Sequence, residues 1–468
     1  MSGELSVAQK ALMARLRSAA TASAAVPDDA EQPRANSQPA LPAAGIEQKV
    51  MLAYEVAHPG TVLFNMPFAL QLDGLLDRDA LMQAMRCVLD RHEPLRSRYA
   101  PNGISVAPTS EFQPQVLDAT GLPPAHQQAA LQRMEHSLLR QPFKLAEELP
   151  LRMGLLTLSD RTHVLFLCVH HIAFDGWSAE LFSRELSLGY QAARAGMHNL
   201  LPGLRHTYWD HVREQQRSHQ APALAVPAVA VASRPGMRRA VTVMPNDLTQ
   251  ALRETCRIQG MSLNAMLLAA YGLLLSVETG DAAPVGLLSA NRQDARWHEV
   301  IGPLYSSFAC TLDPAPHVSL GSYVQATADS IFDSIETTQP PGACQPAPAF
   351  KYRFSLDRHP LRQLKFVGIA LSLHGPAQDG NIANGIETEA GTQMSLFVRE
   401  DEHRLHVALY VSDDTRTPRN MSEWMQRYFE ALDLLVCEPE TPFQTAASIL
   451  GLTPDLRVQP PIHATPLP

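Results

Sequence analysis

The sequence predicts an α/β (α+β) chain folded as two comparable lobes, each mixing strands with helices, and three observations carry that reading. The chain has 468 residues, which at ~150 residues per domain gives two to four domains. Both halves alternate short apolar runs of strand type with longer stretches of helical periodicity. An Ala/Pro-rich, unperiodic stretch at residues 221–236, AVPAVAVASRPG within it, separates the halves as a lobe crossing.

The elements follow in order. In residues 1–19, Val7, Ala11, Leu12 and Leu16 recur at helical spacing with Lys10, Arg15 and Arg17 between them. This reads either as a helix that docks a partner or as a solvated extension. Residues 20–44 hold too little apolar surface to offset their ordering entropy and read as a flexible linker. The first lobe, residues 45–220, opens with the strand FNMPFALQLDG and a helix over residues 77–92, with Leu81, Met85, Val88 and Leu89 on one face. RTHVLFLCVHH is a continuous apolar run, as in a strand buried on both faces. A helix follows from about Ser178, burying Leu181, Phe182, Leu186 and Tyr190. The second lobe, residues 237–450, has helices over 248–259 and 262–278, and LNAMLLAAYGLLLSV is apolar almost all round, as in a central core helix. APVGLLSA and FACTLD read as strands, and MSLFVR and RLHVALYVS as a hairpin turning at EDEH, whose Arg399, Glu400, Asp401 and Glu402 read as a solvated tip. A helix over 420–435 precedes a Pro-rich tail, residues 451–468.

Composition excludes several classes. The balance of 38 basic against 47 acidic residues, net −9, is not that of a nucleic-acid binder. Six cysteines stand without CxxC pairing, as reduced thiols of a cytoplasmic protein. No apolar run approaches the ~20 residues of a membrane span, and the N-terminus lacks a secretory core.

The informative stretch is CVHHIAFDGWS. His170 and His171 end a buried strand, where successive side chains point to opposite faces. One histidine therefore faces a given cavity and the other packs inside, an arrangement that does not converge on a metal. Asp175 opens the turn into the next helix and can fix it by pairing with an arginine or backbone donors. Gly176 permits a tight backbone and Ser178 can cap the helix. The helix start adds free N–H groups and a positive dipole end. A base beside oriented N–H donors suits acyl transfer, where a nucleophile loses a proton while an oxyanion forms.

This string resembles the HHxxxDG motif of the condensation domains of nonribosomal peptide synthetases, in the chloramphenicol acetyltransferase-like superfamily. His170, His171, Asp175 and Gly176 match it in full. Arg91-His92-Glu93-Pro94-Leu95-Arg96 matches the family's RHExLR, and Pro142-Phe143-Lys144-Leu145 with Pro150-Leu151-Arg152 its PFDL…PLxR. Tyr208-Trp209-Asp210 partly matches YxDxA, and Asn291, Arg292, Ile301 and Gly302 resemble NR…IG. The resemblance runs over residues 45–442. The opening segment is reduced to GIEQKVMLA with Gln48 retained, and IGxFVN becomes IGPLYSS. HxxPFE is not recognisable around residues 340–348, so the departures concentrate in the second lobe.

The resemblance implies two chloramphenicol acetyltransferase-like lobes forming a V with an active-site tunnel between them. It makes His171 the catalytic base or positioning group and His170 structural. It has Asp175 holding the loop, paired with Arg96, and Gly176 contributing near the oxyanion. Trp177, Ser178, Tyr208 and Ser306 are the candidate tunnel residues; Trp177 also reads as core, and Tyr208 as interlobe packing. No metal and no bound cofactor are implied, since the substrate arrives on the phosphopantetheine of a separate carrier protein. The expected partners are an acyl or peptidyl carrier protein in trans, docked through the N-terminal segment, and a small-molecule or carrier-bound acceptor; neither nucleic acid nor membrane is among them. With no carrier or adenylation segment visible, the chain reads as one free-standing condensation unit forming an amide or ester, as in a chain-release step. The competing readings are a coenzyme A-dependent acyltransferase of the same fold, whose DFGWG signature is missing, and a non-catalytic docking module.

Overall fold

The computed structural model describes residues 43–197, 201–218, 237–279, 282–338, 350–358, 361–374, 392–401, 404–413, 418 and 420–451. The docking helix, most of the linker, the lobe crossing and nearly all of the Pro-rich tail lie outside these residues.

The first half runs α1 (Ile46–Ala57), β1 (Asn65–Asp73), α2 (Arg78–Arg91), a 3-10 turn (Glu93–Arg96), β2 (Ser97–Ala100), β3 (Gly103–Val106), β4 (Gln115–Asp118), α3 (Pro124–Leu139), β5 (Leu151–Ser159), β6 (Thr162–His170), α4 (Gly176–Arg194) and α5 (Tyr208–Ser218). The second runs β7 (Met237–Val243), α6 (Asn246–Gln259), α7 (Leu263–Thr279), β8 (Ala283–Ser289), β9 (Ser306–Leu312), α8 (Leu320–Thr338), β10 (Tyr352–Arg358), β11 (Ala370–Leu373), β12 (Met394–Glu400), β13 (Leu405–Ser412), α9 (Met421–Cys437) and α10 (Phe443–Ile449).

Local chemistry accounts for the elements that carry the site. Asp77 caps α2 by accepting from Ala80 N, and the helix buries Ala80, Leu81, Ala84, Met85, Val88 and Leu89, the spacing of one face. β6 is buried almost throughout because β1 and β5 both pair with it, antiparallel. In the second half α7 is enclosed from Ala265 to Ser276, as its all-round apolarity requires. β12 and β13 form the expected hairpin, with Met394 opposite Val411 and Glu400 opposite Leu405. Its strand reaches further than the solvated tip read from sequence: Arg399 is buried in β12.

Among the described residues two main sheets form, ordered β11–β1–β6–β5–β4 and β7–β13–β12–β10–β8–β9. The first sheet therefore takes a strand from the second half, with β11 pairing antiparallel to β1 from Leu70↔Leu373 to Asp73↔Ala370. Trp297, Val300, Ile301, Leu304, Leu361, Leu364 and Phe366 likewise sit in the core of the first half. A separate core fills the space between the second sheet and α6 to α10. The two halves are thus tied by strand exchange and by shared core, although the sequence divides cleanly at residues 221–236.

Candidate active site

β6 ends at His170, whose amide donates to Pro150 O while His171 N donates to Phe64 O. His171 then begins a 3-10 turn, His171–Ala173, rather than continuing the strand. The two rings part as the sequence requires, but because the backbone turns and not by strand alternation alone. His170 is fully buried; its Nδ1 accepts from Ile172 N at 3.1 Å and its Nε2 lies 3.1 Å from Glu55 Oε1. Those bonds place the ring proton on Nε2 and make the residue a brace between α1 and the turn. Gln48 braces the same turn, donating to Ile172 O at 2.9 Å from full burial.

His171 is differently placed. It is 5% exposed, packs edge-on to Tyr305 with ring centroids 5.3 Å apart, and its Nδ1 is enclosed with no hydrogen-bond partner among the described residues. Burial pulls its pKa below the ordinary 6.5, against the opposing charge of Asp175, so the ring is neutral at pH 7. A neutral imidazole with no acid on it is the state a proton acceptor needs.

Asp175 is the centre of a densely bonded, buried cluster. Its Oδ1 accepts from Ser178 N at 2.8 Å and Ser178 Oγ at 2.6 Å, and its Oδ2 from Leu304 N at 3.1 Å. Its ion pair is with Arg292, Nη1 to Oδ2 at 2.8 Å and Nη2 to Oδ1 at 3.2 Å, both side chains almost wholly buried. Arg292 also donates to Ala290 O, Val300 O and Gly302 O. Burial alone would raise the carboxyl pKa; the Arg292 charge and these donors outweigh it and hold Asp175 below the ordinary carboxylate value.

The partner expected from sequence, Arg96, is therefore corrected. Arg96 donates to Leu89 O at 3.0 Å and Ala107 O at 2.7 Å, with Glu93 at 3.7 Å, and so closes the β2–β3 hairpin against α2. Arg91 and His92 of the same motif both reach Glu185 on α4, at 3.1 and 2.8 Å. Arg152 holds Glu148 at 2.7 Å and lies 4.0 Å over the Phe143 ring. These motif positions build the scaffold behind the turn.

Three further readings change. The cap of α4 is Asp175, not Ser178. Ser178 instead links the halves: its Oγ donates to Asp175 and accepts from Gly302 N at 3.0 Å. Gly176 shows no left-handed φ, and among the described residues beyond its own chain neighbours and helix backbone no atom lies within 4 Å of where a Cβ would stand, so open space rather than a tight backbone distinguishes it. Trp177 is 39% exposed and donates Nε1 to His298 O at 3.0 Å, which removes it from the core. Tyr208 is buried at the lobe junction, where a Cβ on Gly302 would stand 2.2 Å from its ring and one on Gly45 2.7 Å from its hydroxyl. Ser306 begins β9 with its Oγ enclosed and without a hydrogen-bond partner among the described residues. Sequence reasoning missed Arg292 as the partner of Asp175, and with it Leu304, Tyr305 and Glu55. The Asn291-Arg292 pair was the available signal. Asn291 adopts the left-handed φ of 52° as the chain leaves β8, which delivers Arg292 to the junction.

No group of three or more His, Cys, Asp or Glu side chains suited to a metal occurs among the described residues. No single helix there is long and apolar enough to cross a membrane.

A strand-end histidine on a turn, locked by an arginine–aspartate pair between two sheet-and-helix halves, defines a two-lobed class of mixed helix-and-sheet protein. The condensation domain family model matches residues 42–449, and the chain belongs to that family. Chondramide synthase cmdD of Chondromyces crocatus is 26% identical over 414 residues, 81% of this chain and 10% of that protein. Phosphinothricin tripeptide synthetase PhsC of Streptomyces viridochromogenes is 26% identical over 458 residues, 92% of this chain and 41% of that protein. The chain thus spans less than half of either relative. Among solved structures, the condensation domain of the Monacolin K polyketide synthase MokA matches with a TM-score of 0.68 at 17% identity, covering 87% of this chain and 100% of that one. The X-domain from teicoplanin biosynthesis matches at 0.66 and 19% identity, covering 88% and 98%. The fold is the chloramphenicol acetyltransferase-like fold of these domains.

Proposed function

We propose that this chain is an acyltransferase that moves a carrier-bound acyl or peptidyl thioester onto an amine or hydroxyl acceptor, forming an amide or an ester. The single observation that carries it is His171: neutral, enclosed at Nδ1, and set on a turn that Asp175 and Arg292 hold rigid. Family membership supports the reaction class, and the carrier phosphopantetheine follows as the form in which the donor arrives.

In this reading His171 receives the proton of the acceptor N–H or O–H through Nε2 as the nucleophile adds to the thioester carbonyl. The N-terminus of α4, with open space beside Gly176, faces the developing oxyanion. Collapse breaks the C–S bond, and the proton passes to the departing thiolate. The products are the amide or ester and the free phosphopantetheine thiol. The chain acts on a carrier protein supplied in trans, in the cytoplasm, as in release of a finished chain to a small-molecule acceptor.

A second reading, a docking module without turnover, draws on the X-domain, which has also been solved in complex with OxyB. One experiment separates them: an acyl-loaded carrier protein is incubated with the protein and candidate acceptors, and off-loading is followed by intact mass. Transfer is expected, and His171→Ala should lower it by at least ~100-fold, the scale of general-base catalysis. Equal turnover in a His171→Ala variant of unchanged Tm would sink the catalytic role; no turnover with any acceptor would favour docking.

A further inference from the structure

The second sheet has one face covered by helices and another that carries charge. Phe354, Leu396, Val398, Val407 and Leu409 face the helices. The alternate positions form rows set by the register: Asp357–Arg399–His406 lies at the end of the sheet where β10 and β12 finish and β13 begins. Phe397 and Ala408 form an apolar row beside it, and Phe397 packs edge-on to Tyr410.

Arg399 is 9% exposed, yet among the described residues it has no ion pair or hydrogen bond, and its Nε is enclosed. The acids around it are engaged elsewhere or set apart. Asp401 is held by His406 Nε2 at 2.6 Å and by Arg404 N at 2.9 Å, and Glu400 by Arg253 at 2.9 Å. Asp357, opposite Arg399 on the neighbouring strand, accepts from Ser355 Oγ at 2.9 Å and forms no ion pair with it. Asp401 and Asp357 act on the Arg399 guanidinium by charge alone, without contact, and a two-pronged carboxylate is the group that matches its fork of donors.

The same end of the sheet leads to the turn of His171. β8 and β9 meet there at Ser289↔Ser306, and the next residue back, Tyr305, packs on His171. β10 runs parallel to β8, but their pairing stops at Arg353↔Gly286, so the strands part toward this end. We propose that Arg399 binds the carboxylate of the acceptor, whose amine or hydroxyl is directed toward His171. This makes Arg399 a specificity-determining residue, and it rests on the transfer reading above.

Binding tests it without any carrier protein. Titration calorimetry of the full chain is run with two probe pairs, 3-aminobenzoate against 3-aminobenzamide and L-phenylalanine against L-phenylalaninamide. At least one acid should bind about 10-fold or more tighter than its amide, as expected when a buried charge gains its partner. Arg399→Gln should abolish that preference and leave amide binding unchanged, with a Tm no lower than that of the parent chain. Asp357→Asn, which removes the competing negative charge, should strengthen acid binding about 3-fold. Equal binding of acid and amide, no binding of either acid at millimolar concentration, or a preference that survives Arg399→Gln would each overturn the assignment. Selective binding without transfer would instead count against the transfer reading alone.

Discussion

At the scale of single residues, the site depends on one buried ion pair. Asp175 and Arg292 are each nearly inaccessible, and each holds other backbone groups in place. Removing one partner leaves the other charge buried. Arg292→Met is therefore expected to destabilise the fold by about 3–5 kcal/mol, read as a fall in Tm. Arg96→Met should leave the turn of His171 intact, because Arg96 bonds to backbone carbonyls distant from it. A normal Tm for Arg292→Met would contradict this ordering. The His171 pKa makes a second prediction. Because burial lowers it, the base form persists as pH falls through 6.5, so the acid limb of the kcat–pH profile should lie below that value. A limb centred at 6.5 or above would show the ring to be solvated like a free imidazole.

At the scale of elements, the turn after β6 is held from three sides: by α1 through Gln48 and Glu55, by α4 through its Asp175 cap, and by the segment after β8 through Gly302 and Leu304. Tyr208 at the start of α5 fills the junction, and the glycine at 302 is what admits its ring. Gly302→Ala should cost about 1–3 kcal/mol by overpacking. Trimming the ring with Tyr208→Leu should recover part of that loss, so the double variant is more stable than the sum of the single effects predicts. Additive losses in a denaturant titration would show that the two do not touch.

At the scale of the whole molecule, β11 in the first sheet and Arg292 at the junction make the halves one mechanical unit. Two carboxyls in the second half couple this unit to pH. Burial raises Glu278 from 4.5 to about 7 and Asp357 from 3.8 to about 6. The folded chain therefore holds protons that the unfolded chain releases, so their contribution is fully present below the unfolded pKa values and is lost as pH rises through about 6 to 7. Burial lowers the pKa values of His170, His171 and His211, and these act in the opposite sense. The carboxyls therefore contribute a rise in Tm as pH falls from 8 to 5 that is read by difference, and Glu278→Gln should remove the upper part of that rise relative to the parent chain. A rise of the same size in the variant would remove Glu278 as its source. The N-terminal segment gives a separate expectation: deleting residues 1–44 should raise the KM for a loaded carrier and leave kcat unchanged, and an unchanged KM would return the segment to a solvated extension.

The amino-acid sequence alone determined the family and the fold class, and it marked the HHxxxDG turn as the candidate site. HHxxxDG is a local string, and buried runs such as THVLFLCVH declare themselves through continuous apolarity. It also led to the expectation that His170 and His171 part, although the 3-10 turn at His171, and not strand alternation alone, separates them. What it left open were the long-range pairings. Asp175 and Arg292 lie 117 residues apart, and Arg96 offers the same charge at a motif position, so nothing local chooses between them. β11 is four residues long and sits at a sheet edge, too short for period-two alternation to mark it. Arg399 reads as part of a polar hairpin tip, and only the sheet register buries it beside Phe397 without an ion pair. Chemistry carried by neighbours along the chain is written in the sequence; chemistry that depends on which buried charge meets which is decided by packing, where burial makes each unmatched charge costly.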